Sequence, residues 1–259
     1  MKDYLMCKPT SFAVEYSINP WMKKDTQVDL KLAKKQWSIL KQTVEMLGGR
    51  VKVIEQSPDM LDMVFAADCG IAYQNKIVLS NFKYPQRQRE RSIYRKWFEQ
   101  NDYEINFLGD NLKLEGGDCV IWKDYLIGGY GYRSDKFAIE RAADLLELKC
   151  ITLKLQKEKF YHLDTCLSVL DDLGNSIYYP SAFSKKEISM LPFEPILVDV
   201  RDAENFVCNI VKVEDNLIMT KASDPMTALL TEMGFSVHSV DMSEFIKAGG
   251  SSKCLVFNL

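Results

Sequence analysis

The sequence predicts an α/β fold made of five ββαβ units arranged around a pseudo-fivefold axis. Short apolar hairpins open near residues 71, 119, 166 and 208, at spacings of 48, 47 and 42 residues, and a period of this length is typical of repeat architectures. An amphipathic helix and a single strand follow each hairpin. A fifth hairpin opens at Cys254, and the helix and strand that would complete it stand at the other end of the sequence. This arrangement suggests a closed ring, and the alternative is an open α/β sheet, because both show the same alternation of helices and strands.

The hairpins are predicted from pairs of apolar runs that flank a polar turn. Gln74-Asn75-Lys76, Lys123-Asp124 and Glu214-Asp215-Asn216 are three such turns. The four hairpins that are complete within their own repeat cover residues 71–79, 119–127, 166–179 and 208–220.

The helices are predicted from apolar side chains at helical spacing. Ser134 has the acceptor side chain that favours an N-cap, and Gly48-Gly49 ends the first helix. In chain order the predicted helices cover residues 28–47, 86–100, 134–148, 184–191 and 224–233. The strands that follow them are predicted at residues 51–54, 103–107, 151–155, 196–200 and 237–240.

Composition predicts one globular domain over residues 1–259. Of the 259 residues, 47% are hydrophobic and 27% are charged, which excludes intrinsic disorder and a coiled coil as the main architecture. The formal charge of -3 argues against nucleic-acid binding, and the basic stretch Lys83–Trp97 is interpreted as a solvated helix face. No apolar run approaches the ~18 residues of a membrane span. Seven scattered cysteines without a CxxC pair and a polar N-terminus predict a reducing, cytoplasmic location.

Polar residues cluster immediately before each hairpin, at equivalent positions of the repeats. In a closed ring such positions would converge on the axis and share one cavity. The cavity would then collect several carboxylates, one histidine and one thiol. The residues in question are Asp59, Asp62, Asp68, Glu115, Asp118, His162, Asp164, Asn205, Asn209 and Cys254.

A thiol and an imidazole among acids indicate nucleophilic chemistry on a planar cation. An imidazolium lowers the pKa of a neighbouring thiol, and a histidine can pass a proton to a leaving amine. Carboxylates bind a guanidinium group in bidentate fashion. Cys254 is the favoured nucleophile because Gly249-Gly250-Ser251-Ser252-Lys253 precedes it, and the other six cysteines are assigned to packing. His162 is the favoured base, since it heads a predicted strand with Asp164 on the same side, whereas His238 is assigned a structural role.

Several further polar residues are predicted to bind the substrate. Asp62 and Asp68 lie in an apolar, strand-like run, where an unpaired acid is costly, so both are interpreted as functional or ion-paired. Arg133, between a hairpin and a helix, and an arginine near the start of Lys83–Trp97 are candidates for binding a substrate carboxylate.

The motifs EGGD at Glu115–Asp118, HLDT at His162–Thr165 and GGSSKC at Gly249–Cys254 resemble those of the guanidino-group-modifying enzymes. This superfamily contains arginine deiminase, dimethylarginine dimethylaminohydrolase, arginine dihydrolase and the amidinotransferases. The resemblance covers essentially the whole chain, and it implies a five-bladed α/β propeller. It also implies that Cys254 attacks the guanidinium carbon and that His162 protonates the leaving amine, through a covalent thiouronium intermediate.

The resemblance extends to the supporting residues. It implies that Glu115 orients His162, with Asp118 and Asp164 in support. Asp68 and Asp164 would bind the guanidinium nitrogens, and Arg133 and Arg87 would bind the α-carboxylate. The opening segment, MCKPTSFAVEYSINPWM, is similar to the start of the arginine dihydrolases, in which Asn19 would belong to the pocket. The predicted substrate-binding residues are Asp68, Asp62, Asp164, Asp118, Arg133, Arg87 and Asn19.

The substrate is left open between arginine and a methylated arginine. The dihydrolases have Asn where this chain has Asp68, and Asp at this position resembles the enzymes that stop at citrulline. HLD resembles the deiminases, whereas the chain length is nearer the dimethylarginine hydrolases. The first hypothesis is therefore a hydrolase that releases citrulline and ammonia or a methylamine.

Other functions are weighed against this one. An arginine dihydrolase that gives ornithine, ammonia and carbon dioxide and an amidinotransferase are the alternatives within the same chemistry. A protein-arginine deiminase would not use Arg133 as a carboxylate clamp, and a non-catalytic arginine-binding module would not need Cys254. The sequence predicts a small guanidino molecule as partner, with neither cofactor nor metal and neither nucleic acid nor membrane. A homo-oligomer is left open.

Overall fold

The described part of the computed structural model, residues 2–24 and 26–259, contains five three-stranded sheets with helices between their strands. In every sheet the middle strand pairs antiparallel with one neighbour and parallel with the other. The prediction of a mixed α/β fold is thereby confirmed, and the five sheets equal the predicted number of repeats. None of the helices in the described residues is long and apolar enough to span a membrane.

The strands and helices follow the predicted order. The strands are β1 Asp3–Lys8, β2 Arg50–Glu55, β3 Gly70–Tyr73, β4 Lys76–Leu79, β5 Glu104–Phe107, β6 Cys119–Trp122, β7 Tyr125–Tyr130, β8 Lys149–Lys154, β9 Leu167–Val169, β10 Ser176–Tyr178, β11 Ile196–Leu197, β12 Val211–Val213, β13 Asn216–Met219, β14 Ser236–Ser239 and β15 Val256–Asn258. The helices are α1 Leu30–Met46, α2 Pro85–Gln88, α3 Glu90–Glu99, α4 Lys136–Leu145, α5 Lys185–Ile188, α6 Val200–Glu204, α7 Asp224–Glu232 and α8 Ser243–Ile246.

The chain divides into two compact units. The terminal unit consists of the described residues up to Ala66 together with Val198–Leu259, and it contains the sheets β15-β1-β2 and β12-β13-β14. The central unit is Ala67–Leu197, and it contains β3-β4-β5, β6-β7-β8 and β11-β10-β9. No sheet among the described strands is shared by the two units. The single domain over residues 1–259 stays a prediction.

In the terminal unit, both ends of the sequence contribute to one sheet, as the fifth repeat requires. β15 pairs antiparallel with β1, with Leu5 opposite Phe257, and β1 pairs parallel with β2. The sequence predicts helix α1 and strand β2 of this unit but not β1, which supplies the middle strand. Helix α1 begins after Asp29, whose carboxylate accepts hydrogen bonds from two backbone N–H groups of the first turn, and it is followed by Gly48 at a φ of 97°.

Two helices of the central unit differ from the prediction. The helix predicted over residues 86–100 is broken at Arg89 into α2 and α3. Helix α4 has Asp135 as its N-cap and not Ser134. The hydroxyl of Ser134 instead accepts a hydrogen bond from the backbone N–H of Glu115 at 3.0 Å. The prediction of Ser134 as an N-cap was therefore wrong, because its side chain supports a neighbouring turn.

The core of the central unit depends on the close packing of α4 against β7. Ala138, Ile139, Ala142 and Ala143 of α4 are all buried within it. A Cβ atom at Gly128 of β7 would lie 2.3 Å from the Ile139 side chain. Only glycine fits at this point of the strand, so the helix can pack directly on the sheet.

Short 3-10 turns precede three of the hairpins and strand β15 in the described chain, and they carry Asp68, Asp118, Asp164 and Cys254 of the residues predicted to be functional. In the central unit these turns are Ala66–Cys69, which begins one residue before its boundary, Gly116–Asp118 and Leu163–Thr165, and in the terminal unit the turn is Lys253–Leu255. Asp62 lies in a further 3-10 turn, Leu61–Val64. The strand-like surroundings predicted for Asp62, Asp68 and His162 were therefore wrong: these residues lie in turns or at their starts, where side chains do not alternate between two faces.

Candidate active site

Three turns of the central unit bring together a buried cluster of charged side chains. His162 and Glu115 stand directly before their turns, and Asp68 and Asp118 lie within theirs. Arginine side chains from α2 and from the loop before α4 complete the cluster. All of the members are at most 3% exposed: Asp68, Arg87, Glu90, Glu115, Asp118, Arg133 and His162.

His162 lies between two carboxylates. Its Nε2 is 2.9 Å from Glu115 Oε2, and its Nδ1 is 3.4 Å from Asp68 Oδ1. Burial by itself lowers the pKa of the imidazole, but the charges of Asp68, Asp118 and Glu115 and the Glu115 hydrogen bond outweigh it and raise that pKa to about 9. The ring is therefore protonated at neutral pH and can donate a proton.

Glu115 is the central acceptor of the cluster. Its Oε2 also accepts a hydrogen bond from Arg133 Nη1 at 2.6 Å, and its Oε1 accepts one from the backbone N–H of Lys83 at 3.1 Å. Burial raises the pKa of the Glu115 carboxyl, but the charge of Arg133 and the hydrogen bond from His162 lower it by more than burial raises it. The resulting pKa lies well below the ordinary range. Glu115 is thus a carboxylate that orients His162 and stabilises its charge.

Arg133 is held in place by aromatic rings as well as by Glu115. Its guanidinium carbon lies 4.8 Å from the centre of the Tyr84 ring and 4.5 Å from that of Tyr161. These cation–π contacts and the ion pair fix the plane of the guanidinium group. The position predicted for Arg133, between a hairpin and a helix, is where the residue lies.

Asp68 binds a guanidinium group in this structure, that of Arg87. Arg87 Nη1 donates to Asp68 Oδ2 at 2.5 Å. Glu90 accepts hydrogen bonds from Arg87 Nε and Nη2 at 2.9 Å each. The acid predicted to bind a substrate guanidinium is therefore adjacent to the arginine predicted to bind a substrate carboxylate.

Asp118 is a buried acid beside the histidine. Burial is the main reason that its pKa is raised to about 7, although the charge of His162 opposes the shift. Its Oδ1 accepts a hydrogen bond from the backbone N–H of Leu163 at 3.2 Å. At the neighbouring Gly117, a Cβ atom would lie 2.5 Å from Asp68 Oδ1 and 2.6 Å from His162 Nδ1. This glycine allows the Gly116–Asp118 turn to approach the imidazole closely.

Asp164 and Asp62 are placed differently from the prediction. Asp164 is half-buried within the turn that follows His162, so its two-residue spacing from His162 does not put both on one face of a strand. Asp62 belongs to the terminal unit, where it is buried and accepts a hydrogen bond from the Tyr16 hydroxyl at 2.9 Å.

Cys254 lies in the terminal unit, at the turn before β15, and is 2% exposed. Asn209 Nδ2 donates to the sulfur at 3.2 Å, and Asn209 Oδ1 accepts hydrogen bonds from the backbone N–H groups of Cys254 and Lys253. The ammonium group of Lys253 donates to the Val256 carbonyl at 2.9 Å. An amide that donates to the sulfur stabilises a thiolate over a thiol.

The segment before Cys254 is anchored by Asn19. Asn19 Nδ2 donates to the Ala248 carbonyl at 3.0 Å, and its Oδ1 accepts from the backbone N–H of Trp21 at 2.9 Å. Within the described residues, the buried hydroxyls of Ser251 and Ser252 have no hydrogen-bond partner. Asn19 therefore joins the Ile18–Met22 loop to the segment that carries the thiol.

One group of side chains in the described residues could surround a metal ion. Donor atoms of Asp68, Glu115 and His162 all lie within 4.8 Å of one another. Because Arg87 and Arg133 already bind the two carboxylates, their positive charges oppose a bound cation. The absence of a metal and of a cofactor stays a prediction.

Three residues that fix the arginines of the cluster were not predicted from the sequence. Glu90 fixes Arg87, and Tyr84 and Tyr161 fix Arg133. Glu90 and Tyr84 belong to the stretch interpreted as a solvated helix face, and Tyr161 was given no role. The spacing of Arg87 and Glu90, three residues apart at the start of a helix, is the signal that could have identified Glu90.

The chain matches a known protein family over most of its length. The family model described as "N,N dimethylarginine dimethylhydrolase, eukaryotic" matches residues 6–259. The bifunctional arginine dihydrolase/ornithine cyclodeaminase AgrE of Nostoc is 37% identical over 99% of this chain, and the chain spans 37% of that relative's length. The N(G),N(G)-dimethylarginine dimethylaminohydrolase of Mycobacterium tuberculosis is 36% identical, over 100% of this chain and 86% of its own.

A solved structure shares the fold over the whole chain. It is the N-terminal domain of a variant of ArgZ, an arginine dihydrolase of cyanobacteria, covalently bound to a reaction intermediate. The two chains are 35% identical with a TM-score of 0.96, and the match covers 100% of this chain and 97% of the other.

Proposed function

Since the chain belongs to the N,N-dimethylarginine dimethylhydrolase family, we propose that it is a cysteine-dependent hydrolase of the guanidinium group of free arginine or a methylated arginine. The observation that carries the proposal is the buried cluster of the central unit, in which carboxylates hold one histidine protonated and bind a guanidinium group. Such a cluster suits a planar cationic substrate that must lose an amine.

In the proposed reaction, Cys254 and His162 act on the same guanidinium carbon. The thiolate forms a C–S bond to that carbon, and His162 gives its proton to the departing nitrogen as the C–N bond breaks. Ammonia or a methylamine leaves, and a thiouronium group remains on Cys254. His162 then takes one proton from the water that attacks the same carbon, and the C–S bond breaks to restore the thiolate. The second proton of that water leaves to solvent as citrulline is released.

Glu115 and Asn209 would support the two reacting groups. Glu115 keeps His162 charged, because its carboxylate is 2.9 Å from Nε2, and Asn209 stabilises the thiolate through its amide. The covalent intermediate in the similar ArgZ domain supports a covalent route for this chain. Asp68, Asp118 and Asp164 would surround the substrate guanidinium.

A second candidate function is arginine dihydrolase. The cyanobacterial relatives, at 37% identity, are bifunctional enzymes with this activity in their names. We favour a single hydrolysis, because the Asp68 carboxylate binds a cationic guanidinium more strongly than a neutral ureido group and so favours release of citrulline.

The proposal includes a closed ring of the five ββαβ repeats, that is, a five-bladed α/β propeller. The pairing of β15 with β1 joins the two ends of the sequence in one sheet, which supports closure. It also includes a reducing, cytoplasmic location, since none of the seven cysteines forms a disulfide.

The test is mass-spectrometric product analysis after separate incubation with arginine and with asymmetric dimethylarginine. The matched variants are Cys254→Ser and Cys150→Ser. Cys150 is an exposed residue, but partial burial of its thiol, above all, raises the pKa of that thiol to about 11. The thiol is therefore a poor nucleophile, and replacing it should leave turnover unchanged.

Citrulline from either substrate, abolished by Cys254→Ser alone, supports the proposal, and the amine released identifies the substrate. Ornithine as the product would replace the proposal with the dihydrolase. Turnover that survives Cys254→Ser, or no turnover of either compound by the unaltered protein, would overturn the proposal, and the latter result would favour an amidinotransferase.

A further inference from the structure

Glu90 is a buried acid that none of the motifs assigns. Its side chain is fully buried, and its two oxygens accept hydrogen bonds from Arg87 Nε and Nη2. The two residues are three apart, on either side of the break between α2 and α3 at Arg89. A buried carboxylate without a partner costs free energy, so the ion pair with Arg87 is what allows Glu90 to be buried.

Glu90 fixes the edge of the Arg87 guanidinium group, and a ring fixes its face. The two parallel hydrogen bonds are the bidentate geometry in which arginine and carboxylate are most strongly oriented. The Arg87 guanidinium carbon also lies 4.6 Å from the centre of the Phe82 ring. Arg87 Nη1 is thereby directed to Asp68 at 2.5 Å.

We infer that Glu90 is a positioning residue that holds Arg87 in the orientation needed to bind the α-carboxylate of the substrate. This inference rests on the proposed function, in which Arg87 binds that carboxylate and Asp68 binds the guanidinium group. Without the Glu90 carboxylate, the Nε and Nη2 edge of Arg87 would lose the two hydrogen bonds that fix its orientation, and the substrate would lose a pre-positioned partner for its α-carboxylate.

A glutamine at position 90 keeps the shape of the side chain but not the geometry of the pair. Its oxygen can accept one hydrogen bond, whereas its NH₂ group would face an N–H donor of Arg87. An aspartate keeps both acceptor oxygens on a shorter side chain, so it should restore part of the bidentate contact. Glu99→Gln is the matched control, since Glu99 accepts from Arg95 Nε at 2.7 Å at the other end of the same helix and is exposed.

The experiment measures the kcat and KM of arginine for the unaltered protein and for Glu90→Gln, Glu90→Asp and Glu99→Gln. Calorimetric titration with arginine gives binding independently of turnover, and thermal unfolding shows that each variant is folded. We expect Glu90→Gln to raise KM and Kd by about tenfold or more with kcat changed by less than about twofold, as loss of binding contacts alone predicts. Glu90→Asp should recover part of the loss, and Glu99→Gln should match the unaltered protein.

A folded Glu90→Gln variant with unchanged KM and Kd would overturn the inference, and so would a fall in kcat at unchanged KM. If Glu90→Gln does not fold, Glu90→Asp decides in the same way, since unchanged KM and Kd in that variant contradict a positioning role. A protein that binds arginine but turns over neither arginine nor asymmetric dimethylarginine would refute the proposed function alone, because the Kd comparison still tests Glu90. A protein that neither binds nor turns over either compound would refute both.

Discussion

The replacement Glu115→Gln tests the charge balance of the buried cluster. In the structure, Glu115 Oε2 accepts hydrogen bonds from Arg133 at 2.6 Å and from His162 at 2.9 Å, and Oε1 accepts one from the Lys83 backbone at 3.1 Å. Glutamine keeps the shape and the Lys83 contact. It removes the negative charge, and with it the ion pair between Glu115 and the buried Arg133.

The expected loss of stability follows from those contacts. Two hydrogen bonds between charged groups are weakened, at about 1.5–3 kcal/mol each. Breaking a buried ion pair by removing one partner typically costs about 3–5 kcal/mol. We therefore expect the free energy of unfolding to fall by about 3–5 kcal/mol, and the pKa of His162 to fall as well, because two of the effects that raise it come from Glu115.

The assay is urea-induced unfolding, with Glu140→Gln as the control. Glu140 forms an exposed pair with Lys136 at 3.6 Å, and exposed pairs contribute at most about 1 kcal/mol. A Glu115→Gln variant as stable as Glu140→Gln would refute the assignment of Glu115 as the central acceptor of the cluster.

Three further predictions concern the same groups. The folded pKa of His162 lies above its ordinary value of 6.5, at about 9, so its contribution to stability is complete below pH 6.5 and is lost as the pH rises through 9. Thermal unfolding across this window should show a steeper loss in the unaltered protein than in His162→Asn, and equal slopes would contradict it. Gly117→Ala should cost about 1–3 kcal/mol in urea unfolding through overpacking, whereas Gly109→Ala, with no atom within 4 Å of the added Cβ, should not; equal effects would refute the close approach. Asn209→Ala should slow the alkylation of Cys254 by iodoacetamide about tenfold, and an unchanged rate would remove the amide–thiolate contact from the account.

Much of the fold could be predicted because its repeats are regular. Apolar runs around polar turns located the hairpins, since two-strand pairing is a local pattern. Strand β1 was missed because its partners β15 and β2 are distant in sequence, so no local pattern marks the pairing. The break at Arg89 was missed because helical spacing is continuous across it.

The site was predictable in composition more than in geometry. The motifs pointed to His162 and to acids such as Glu115, because histidine and carboxylate residues stand directly before the predicted hairpins. Several of the partners were not predictable: Ser134 has the residue type of an N-cap but bonds to the backbone of Glu115 instead, and Asp68 binds Arg87. Such pairings depend on turns brought together by tertiary structure, which spacing along the chain does not reveal.

The central claim is that Cys254 attacks the guanidinium carbon of an arginine-type substrate. The measurement that tests it most directly is peptide mass spectrometry of the protein quenched with acid during turnover of arginine. The account predicts an adduct on the peptide that contains Cys254, with the mass of the substrate less ammonia, and no such adduct in Cys254→Ser. The same adduct on a different cysteine would contradict the account.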